Sequence, residues 1–356
     1  MRFPATALLA TANAVSAAPR YIMYFDQWHT ANLPSKDVTA GVNYVITAFA
    51  PSTTFNWGSS YTPFKPLSEV RAMFDSETKV CMAIGGWGDT SGFSAGVSSE
   101  DSRKRYAKNV AEAVNRLGYD CVDIDWEYPG GNGEDYRRTP NDQKVGEIDS
   151  YPLLLTEIKK AIGDKELSIA VPGRTVDMIA FTTGNVPKID KAVDFVNVMT
   201  YDIMNRRENE TNHHSSIEDS KKTIDTYIQR GMTPSKMNLG FAFYAKFFET
   251  QGQCNEPVGC ETAVLEGPDG SDTQRSGAVT FEVESFNSGE FTNVLKNGKE
   301  DTQRGGQWYW DPATKKFWTW DSLSSWPASL TRLSRPSSSE AFLPGVWLKI
   351  VMSGSI

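Results

Sequence analysis

Asp120-Cys121-Val122-Asp123-Ile124-Asp125-Trp126-Glu127-Tyr128-Pro129 is the segment on which the predicted fold depends. Side chains of a β-strand alternate between its two faces, so Asp123, Asp125 and Glu127 share one face. The opposite face carries Val122, Ile124 and Trp126. On a one-sided antiparallel strand, such acids would simply be the solvated face.

The neighbouring sequence favours a strand that is buried on both faces. A second apolar run lies upstream at 80–86, across an amphipathic helix that we predict at 101–117. This order of elements is typical of a parallel sheet, in which carboxylates are costly unless they have a task. Because Tyr128-Pro129 and a Gly-rich run follow the acids, Glu127 is predicted at the carboxyl end of its strand, where α/β barrels carry out chemistry.

The same alternation of elements continues along the chain. Further helices are predicted from Pro66 and at 151–162 and 217–229, and Gly118 is predicted to end the helix at 101–117. Strands are predicted at 21–25, 43–50, 80–86, 120–127, 167–172, 193–202 and 237–244. Seven strands with interleaved helices call for an eighth, so we predict an α/β fold, a (β/α)8 TIM barrel. An open doubly wound sheet is the alternative, but no Gly-rich phosphate turn follows the first strand.

We assign residues 19–356 to this catalytic barrel. From 248 to 320 the pattern changes to Gly, Asp, Thr and aromatic residues, which predicts a small α+β insertion after strand seven. The last 35 residues, 322–356, contain 10 Ser and no clear helical stripe, so the eighth βα unit is predicted to be atypical. A shifted reading frame or a mis-spliced gene model is our hypothesis for this tail; it leaves barrel closure open, and comparison with the transcript tests it.

Composition and charge narrow the possible partners. The formal net charge is -8, which disfavours a nucleic acid partner and fits a neutral substrate. The 10 Trp suit either stacking on sugars or a large core. Residues 1–18 have a basic start, an apolar middle and small residues near Ala17 and Ala18, so they are predicted to be a secretory signal peptide, with a disordered or frayed N-terminus as the alternative. No other segment is apolar enough to span a membrane, and we expect a secreted monomer.

The cysteines, the histidines and a glycosylation motif give further expectations. Cys254 and Cys260 are predicted to form a disulfide, whereas Cys81 and Cys121 are expected to be buried thiols, with a bridge left open. The segment 209–211, Asn-Glu-Thr, is a glycosylation acceptor if the chain is secreted. The pair at 213–214, His-His, is predicted to be solvated, and no metal or cofactor is predicted. The run 205–208 is interpreted as a solvated turn, with a substrate contact as the alternative.

The segment at 120–127 resembles the Asp-x-x-Asp-x-Asp-x-Glu signature of glycoside hydrolase family 18, the chitinase family. Cys121 stands where the family usually has Gly. The resemblance extends from about Tyr21 to Trp320, and Met199-Thr200-Tyr201-Asp202 matches the strand-six motif. Two motifs depart from the family: Ala83 replaces the Ser of Ser-x-Gly-Gly at 83–86, and 243–246 differs twice from Phe-Tyr-Gly-Arg, which weakens any role for Lys246.

This resemblance implies a secreted, fungal-type chitinase that cuts β-1,4 linkages of chitin or chitooligosaccharides, with endo action expected. In the family mechanism, Glu127 is the acid and then the base, Asp125 orients the substrate acetamido group, and Tyr201 donates to the acetamido oxygen. Asp123 is the inner acid of the same catalytic motif, and in the family the Ser of Ser-x-Gly-Gly hydrogen-bonds it. Crowding of the three acids is expected to raise some of their pKa values. The predicted substrate-binding residues are Trp87, Gly86, Met199, Asp202, Tyr128, Tyr244 and Trp347, the last as the floor of the sugar site.

Three other functions stay open. A chitin-binding lectin can share the barrel, although such proteins commonly lack the terminal acid that Glu127 supplies. An endo-β-N-acetylglucosaminidase acting on N-glycans can share motif and mechanism. A catalytically impaired homologue is the third, because of the tail. The insertion resembles a lobe that walls the groove of some chitinases, which favours a linear polymer, but a packing lid without sugar contact fits its composition equally well.

Overall fold

The structure is a computed structural model, and it describes residues 19–30, 33–282, 285 and 288–321 together with the backbone of 347–348. The predicted signal peptide at 1–18 and most of the serine-rich tail lie outside the described residues. The hypothesis on the origin of that tail, and the question of barrel closure, therefore remain expectations.

A parallel sheet forms the centre of the molecule, as predicted. Its neighbouring strands follow chain order and pair in parallel throughout. A two-residue strand at the eighth position, Trp347–Leu348 (β13), pairs in parallel with the seventh strand. The first seven strands are β1 Ile22–Asp26, β2 Tyr44–Ala50, β3 Lys79–Gly85, β4 Cys121–Asp125, β5 Glu166–Pro172, β6 Phe195–Met199 and β7 Met237–Leu239.

Helices follow the strands as the sequence predicted. The clearest, α5, begins after Ser99, whose hydroxyl accepts from the Ser102 amide, and it ends at Gly118, which has a φ of 81°. The end at Gly118 confirms the prediction, and the Ser99 cap, which was not predicted, is typical of helix starts. The helices are α1 Lys36–Thr39, α2 Thr54–Trp57, α3 Leu67–Ala72, α4 Ser91–Val97, α5 Glu100–Leu117, α6 Val145–Ile162, α7 Val186–Ala192 and α8 Ile217–Gln229.

Helix α6 begins at Val145, six residues before the predicted start, and it contains Pro152. Proline has no amide hydrogen, so the carbonyl of Ile148 loses its usual partner four residues along the helix. The side-chain amide of Asn185 donates to that carbonyl at 2.9 Å instead. Tertiary contact thus allows a helix to run through a residue that normally ends one.

Two apolar layers hold the sheet. Residues such as Val122 and Ile124 point outward and pack against the helices, where the Trp126 ring stacks on Phe93 with centroids 5.2 Å apart. The alternate residues, including Tyr24 and Ala83, form a smaller cluster inside the sheet. The alternation predicted for 120–127 is confirmed.

The insertion contains a five-stranded antiparallel sheet and the helix α9 Gly289–Asn297. The predicted strand seven, 237–244, is too long: β7 ends at Leu239, and Tyr244 already belongs to the second sheet. Both segments are apolar, so their pattern does not show where the chain leaves the barrel. The strands of the insertion are β8 Tyr244–Glu249, β9 Ser276–Thr280, β10 Lys299–Asp301, β11 Gly306–Asp311 and β12 Lys316–Trp320.

Both cysteine pairs form disulfides. The Cys254–Cys260 bridge confirms the prediction, whereas the expectation of free thiols at Cys81 and Cys121 is wrong. These two residues lie directly beside each other in the register of β3 and β4 and share the interior face. Sequence alone placed them on adjacent strands but does not give that register. Over the described residues, no helix has the length and apolar character needed to cross a membrane.

Candidate active site

Strand β4 directs two carboxylates into the sheet interior. Asp123 is fully buried and Asp125 is nearly so. Asp123 accepts hydrogen bonds from the Tyr24 hydroxyl at 2.7 Å, the Asn197 amide at 3.1 Å and the Ser168 hydroxyl. Donors of this kind offset the cost of burying a charged group. The prediction that the acids at 123 and 125 share an inward face is therefore confirmed.

Ala83 and Ser168 flank Asp123 on the two neighbouring strands. In the sheet register both lie directly beside it, Ala83 on β3 and Ser168 on β5. Position 83 is Ala, so no hydroxyl supports Asp123 from β3. The Ser168 hydroxyl donates to the carboxylate from β5. Asp123 therefore has a serine donor on one of its two neighbouring strands.

Glu127 follows the end of β4 and is the acid of this strand that reaches a cavity at the carboxyl ends of the parallel strands. Burial and, next, the neighbouring Asp125 carboxylate raise the pKa of Glu127 well above its ordinary value. A raised pKa keeps this carboxyl protonated closer to neutral pH, as a general acid requires. Trp87, Tyr128, Tyr201 and Asp202 line the same cavity.

The loop after Glu127 is held by Glu147 in the first turn of α6. The Gly130 amide donates to one Glu147 carboxylate oxygen at 3.0 Å, and the Ser94 hydroxyl donates to the other at 2.6 Å. Glu147 is buried, so both bonds are shielded from water. The backbone that follows the acid is therefore fixed to α4 and α6, which limits how far Glu127 can move.

Asp202 lines the same cavity beside two donors. The Tyr244 hydroxyl and the Lys246 ammonium group each donate to its Oδ1 at 2.9 Å. Burial opposes ionisation, but Lys246 and then His214 outweigh it and hold the pKa of Asp202 below its ordinary value. Lys246 also lines the cavity, so this departure from the family motif lies at the site itself. Two nearby carboxyl groups whose pKa values shift in opposite directions suit acid–base chemistry.

Tyr201 supplies a hydroxyl at the same place. Its side chain is almost fully buried, and its ring meets the Tyr244 ring edge-on at 6.2 Å. Burial, followed by the Asp125 carboxylate, raises the pKa of Tyr201 well above its ordinary value. The hydroxyl therefore stays protonated and can act as a hydrogen-bond donor over the working pH range.

Trp87 forms another wall, and two glycines before it make its position possible. Gly85 and Gly86 have positive φ angles, and the Gly86 amide donates to the Asp125 carbonyl at 2.8 Å. A Cβ atom on Gly86 would lie 2.9 Å from the Phe49 ring, so glycine is required there. Trp87 follows with 39% of its surface exposed, edge-on to Tyr128 at 6.4 Å.

Among the described residues, Gly86, Met199 and Tyr244 were predicted to bind substrate but are not part of the cavity lining. Gly86 lies against the Phe49 ring, Met199 belongs to the interior apolar cluster, and the Tyr244 hydroxyl donates to Asp202, which does line the cavity. Trp347 lies in β13, in register with Asn238, but its side chain is outside the described part of the structure. Its proposed role as a sugar floor stays a prediction.

Several cavity residues were missed by the sequence analysis. The segment 205–208 does form a turn, in which the Glu208 amide donates to the Asn205 carbonyl at 3.1 Å, and Asn205, Arg206 and Arg207 also line the cavity. They directly follow strand six, and their place beyond its carboxyl end was the signal that could have found them. The other missed residues are Gly173, Arg174 and Asp177 after β5, and Phe248, Asp272, Ser276, Gly277 and Ala278 of the insertion.

The histidine pair is also unlike its prediction, because both rings are fully buried. His213 bonds to Thr319 and Asp301 of the insertion, each at 3.1 Å. The His214 ring stacks on Tyr244, and its Nδ1 lies 3.7 Å from Asp202 Oδ1. The pair therefore joins the barrel to the insertion behind the cavity. Among the described residues, no group of His, Cys, Asp and Glu side chains is arranged to hold a metal ion.

A known family profile matches most of this chain. The profile described as "Glycosyl hydrolases family 18" matches residues 20–331. The sporulation-specific chitinase 2 of Saccharomyces cerevisiae is 27% identical over 203 residues, which cover 54% of this chain and 38% of that protein. The matches cover less than half the length of each of the first three curated relatives.

Two solved structures share the fold at low identity. A chitinase from Rhizomucor miehei superposes with a TM-score of 0.74 at 16% identity, covering 94% of this chain and 95% of that one. The second catalytic domain of an Ostrinia furnacalis Group II chitinase, in complex with (NAG)5, gives 0.70 at 17% identity, covering 94% and 89%. Because the family profile spans most of the sequence and the acidic motif lies at the carboxyl end of its strand, the chain belongs to glycoside hydrolase family 18.

Proposed function

We propose that this protein hydrolyses β-1,4 linkages between N-acetylglucosamine units of chitin by a substrate-assisted retaining mechanism. The observation that carries the proposal is Glu127, an acid with a raised pKa that lines the cavity, with Asp125 buried behind it and Tyr201 in the same wall. In this mechanism the substrate's own acetamido group takes the place of the carboxylate nucleophile of the common retaining scheme, so Asp125 does not have to attack the anomeric carbon.

The reaction begins with proton transfer from the Glu127 carboxyl to the glycosidic oxygen as the bond from that oxygen to the anomeric carbon breaks. The carbonyl oxygen of the substrate's own acetamido group attacks the anomeric carbon and forms an oxazolinium ion. Glu127, now ionised, removes a proton from water, which attacks the anomeric carbon and restores the acetamido group. Two inversions at one carbon retain the β configuration.

The surrounding residues each have a defined part in this scheme. Asp125 orients the acetamido N–H and balances the positive charge of the oxazolinium ion. Tyr201, whose hydroxyl stays protonated, donates to the acetamido oxygen and holds it in line with the anomeric carbon. Asp123 is the inner acid of the same strand, and Asp202 lines the sugar site beside Lys246.

A chitin chain is the substrate that the cavity and the comparisons favour. The Ostrinia furnacalis domain with the same fold binds (NAG)5. The insertion contributes Phe248 and the segment 276–278 to the wall, so the cavity lies between barrel and insertion. A site walled on this side fits a linear polymer better than a branched N-glycan core, and we propose endo action.

The test is hydrolysis of a short fluorogenic chitooligosaccharide by the wild type and by Glu127→Gln, with binding to insoluble chitin measured in parallel. We expect the variant to lose hydrolysis and keep binding. A folded wild type that binds chitin but does not cut it would establish a lectin or an impaired homologue. Release of glycans from a glycoprotein, with no action on chitooligosaccharides, would establish the N-glycan substrate instead.

We further propose that the protein is secreted and glycosylated. Two disulfides favour an oxidising compartment, and residues 1–18 have the pattern of a signal peptide. Asn209 of the acceptor motif is exposed, so a glycan can be accommodated there. Expression in a secreting host tests both points: we expect a mature N-terminus near Pro19 and a mass loss on deglycosylation that disappears in Asn209→Gln. A retained N-terminus would contradict the first point.

A further inference from the structure

Arg207, in the cavity wall, lies against two aromatic rings. Its guanidinium carbon lies 3.9 Å from the centre of the Tyr136 ring and 5.7 Å from the centre of the Trp87 ring. Only 17% of the side chain is exposed. A planar cation over an aromatic face is an attractive contact, and it is stronger where water is excluded. Arg207 therefore joins Trp87, which borders the catalytic acid, to a tyrosine farther along the wall.

The hydrogen bonds of Arg207 fix it to the loop that follows β4. Its two terminal nitrogens donate to the backbone carbonyl oxygens of Asn132 at 2.9 Å and Gly133 at 3.1 Å. These carbonyls lie shortly after Glu127 in the chain. The arginine, which comes from the loop after β6, thus connects the segments that follow β4 and β6.

Glu266 brings the insertion to the same point. Its carboxylate accepts from Arg206 Nε at 3.0 Å and from the Tyr136 hydroxyl, and it lies 3.9 Å from Arg207 Nε. The Glu266 side chain is only 6% exposed. A charge so well buried is costly unless it is paired, so its partners are held strongly in place. Three separate segments therefore meet at one carboxylate.

We propose that Arg207, held by Glu266, is a positioning residue that fixes Trp87 as a wall of the sugar site and so sets the strength of substrate binding. This inference rests on the proposed function. An exposed tryptophan otherwise has to be ordered when substrate binds, and a preformed wall removes that cost. Arg207 acts through Trp87, because its donors serve protein carbonyls and its planar face covers aromatic rings.

The test is a double-mutant cycle on Trp87 and Arg207, with kcat and KM measured on a soluble chitooligosaccharide. For Arg207→Met we expect KM to rise by about 3- to 30-fold, the range of a cation–π contact, while kcat stays within about twofold. Because Arg207 acts through Trp87, adding Arg207→Met to Trp87→Ala should change KM little further. Arg207→Lys keeps the charge over the rings and should recover part of the loss, and Glu266→Gln should raise KM in the same direction.

Arg275→Met is the matched control, since Arg275 is a half-exposed arginine of the insertion whose ion pair is with Glu249. We expect its KM to equal that of the wild type. Additive effects of Trp87→Ala and Arg207→Met, or a fall in kcat at constant KM, would overturn the proposal while leaving the proposed function intact. A wild type that neither binds nor cuts chitooligosaccharides would overturn the function, and the inference with it.

Discussion

The two disulfides should contribute unequally to stability, and the difference follows from the length of chain that each one closes. Cys81 and Cys121 are 40 residues apart in sequence, whereas Cys254 and Cys260 are 6 apart. On the chain-entropy account, a bridge acts mainly by restricting the unfolded chain. The expected contributions are about 4 kcal/mol for the longer loop and about 2 kcal/mol for the shorter one.

The perturbation is replacement of each pair by alanine, giving Cys81→Ala with Cys121→Ala, and Cys254→Ala with Cys260→Ala. The assay is urea unfolding at pH 7 of both double variants and the wild type, read by circular dichroism. We expect the free energy of unfolding to fall about twice as far for the first pair as for the second. The second pair is the control, since it lies in the insertion, outside the parallel sheet.

The location of the longer bridge gives a second readout. Cys81 and Cys121 join β3 and β4, the strands that lead to Trp87 and Glu127, and both are fully buried. Mild reductant should therefore open Cys254–Cys260 first and leave hydrolysis largely unchanged until the inner bridge is reduced. Equal losses of stability, or a larger loss from the outer pair, would refute the reasoning from loop length.

Three further predictions concern the site itself. Tyr201→Phe should lower kcat by about 10²- to 10³-fold with little change in stability, because it removes a donor to the acetamido oxygen, and steady-state kinetics checks this. Ser168→Ala should lower the free energy of unfolding by about 1.5–3 kcal/mol, since a buried carboxylate loses a donor, whereas the exposed Ser98→Ala should change it by less than about 0.5 kcal/mol. Glu127→Gln should raise Tm at pH 7 but not at pH 4. The pKa of Glu127 is higher in the folded protein than in the unfolded chain, where it is about 4.3. The wild type therefore loses free energy of unfolding as pH rises above that value, and the variant does not. A Tm gain of equal size at both pH values would contradict that assignment.

Much of the fold was predictable from local sequence. Polar and apolar residues alternate along β4, and strands and helices alternate from β1 to α8. The positions of Asp123, Asp125 and Glu127 followed from the same pattern, with period two and a turn after Pro129. The long strand predicted at 237–244 failed because an apolar pattern continues from the barrel into the second sheet. Helix α6 was predicted too short because the contact that compensates for Pro152 comes from Asn185, far along the chain.

The missed parts of the site depend on contacts between distant segments. The Cys81–Cys121 bridge requires the register of two strands, which period alone does not give. From sequence alone, polar residues such as His213 and Arg207 are expected to be solvated. They are buried here because they have partners in the insertion, Asp301 and Glu266. Sequence patterns indicate which residues follow a strand, whereas only the folded chain shows which of them meet.

The proposed mechanism is tested most directly by the anomeric configuration of the first product. Wild-type protein is mixed with a chitooligosaccharide, and proton NMR records the new reducing end before mutarotation. Attack by the substrate's acetamido group, followed by water assisted by Glu127, predicts the β anomer. An α anomer formed first would contradict substrate-assisted retention and require a water molecule activated by a second carboxylate.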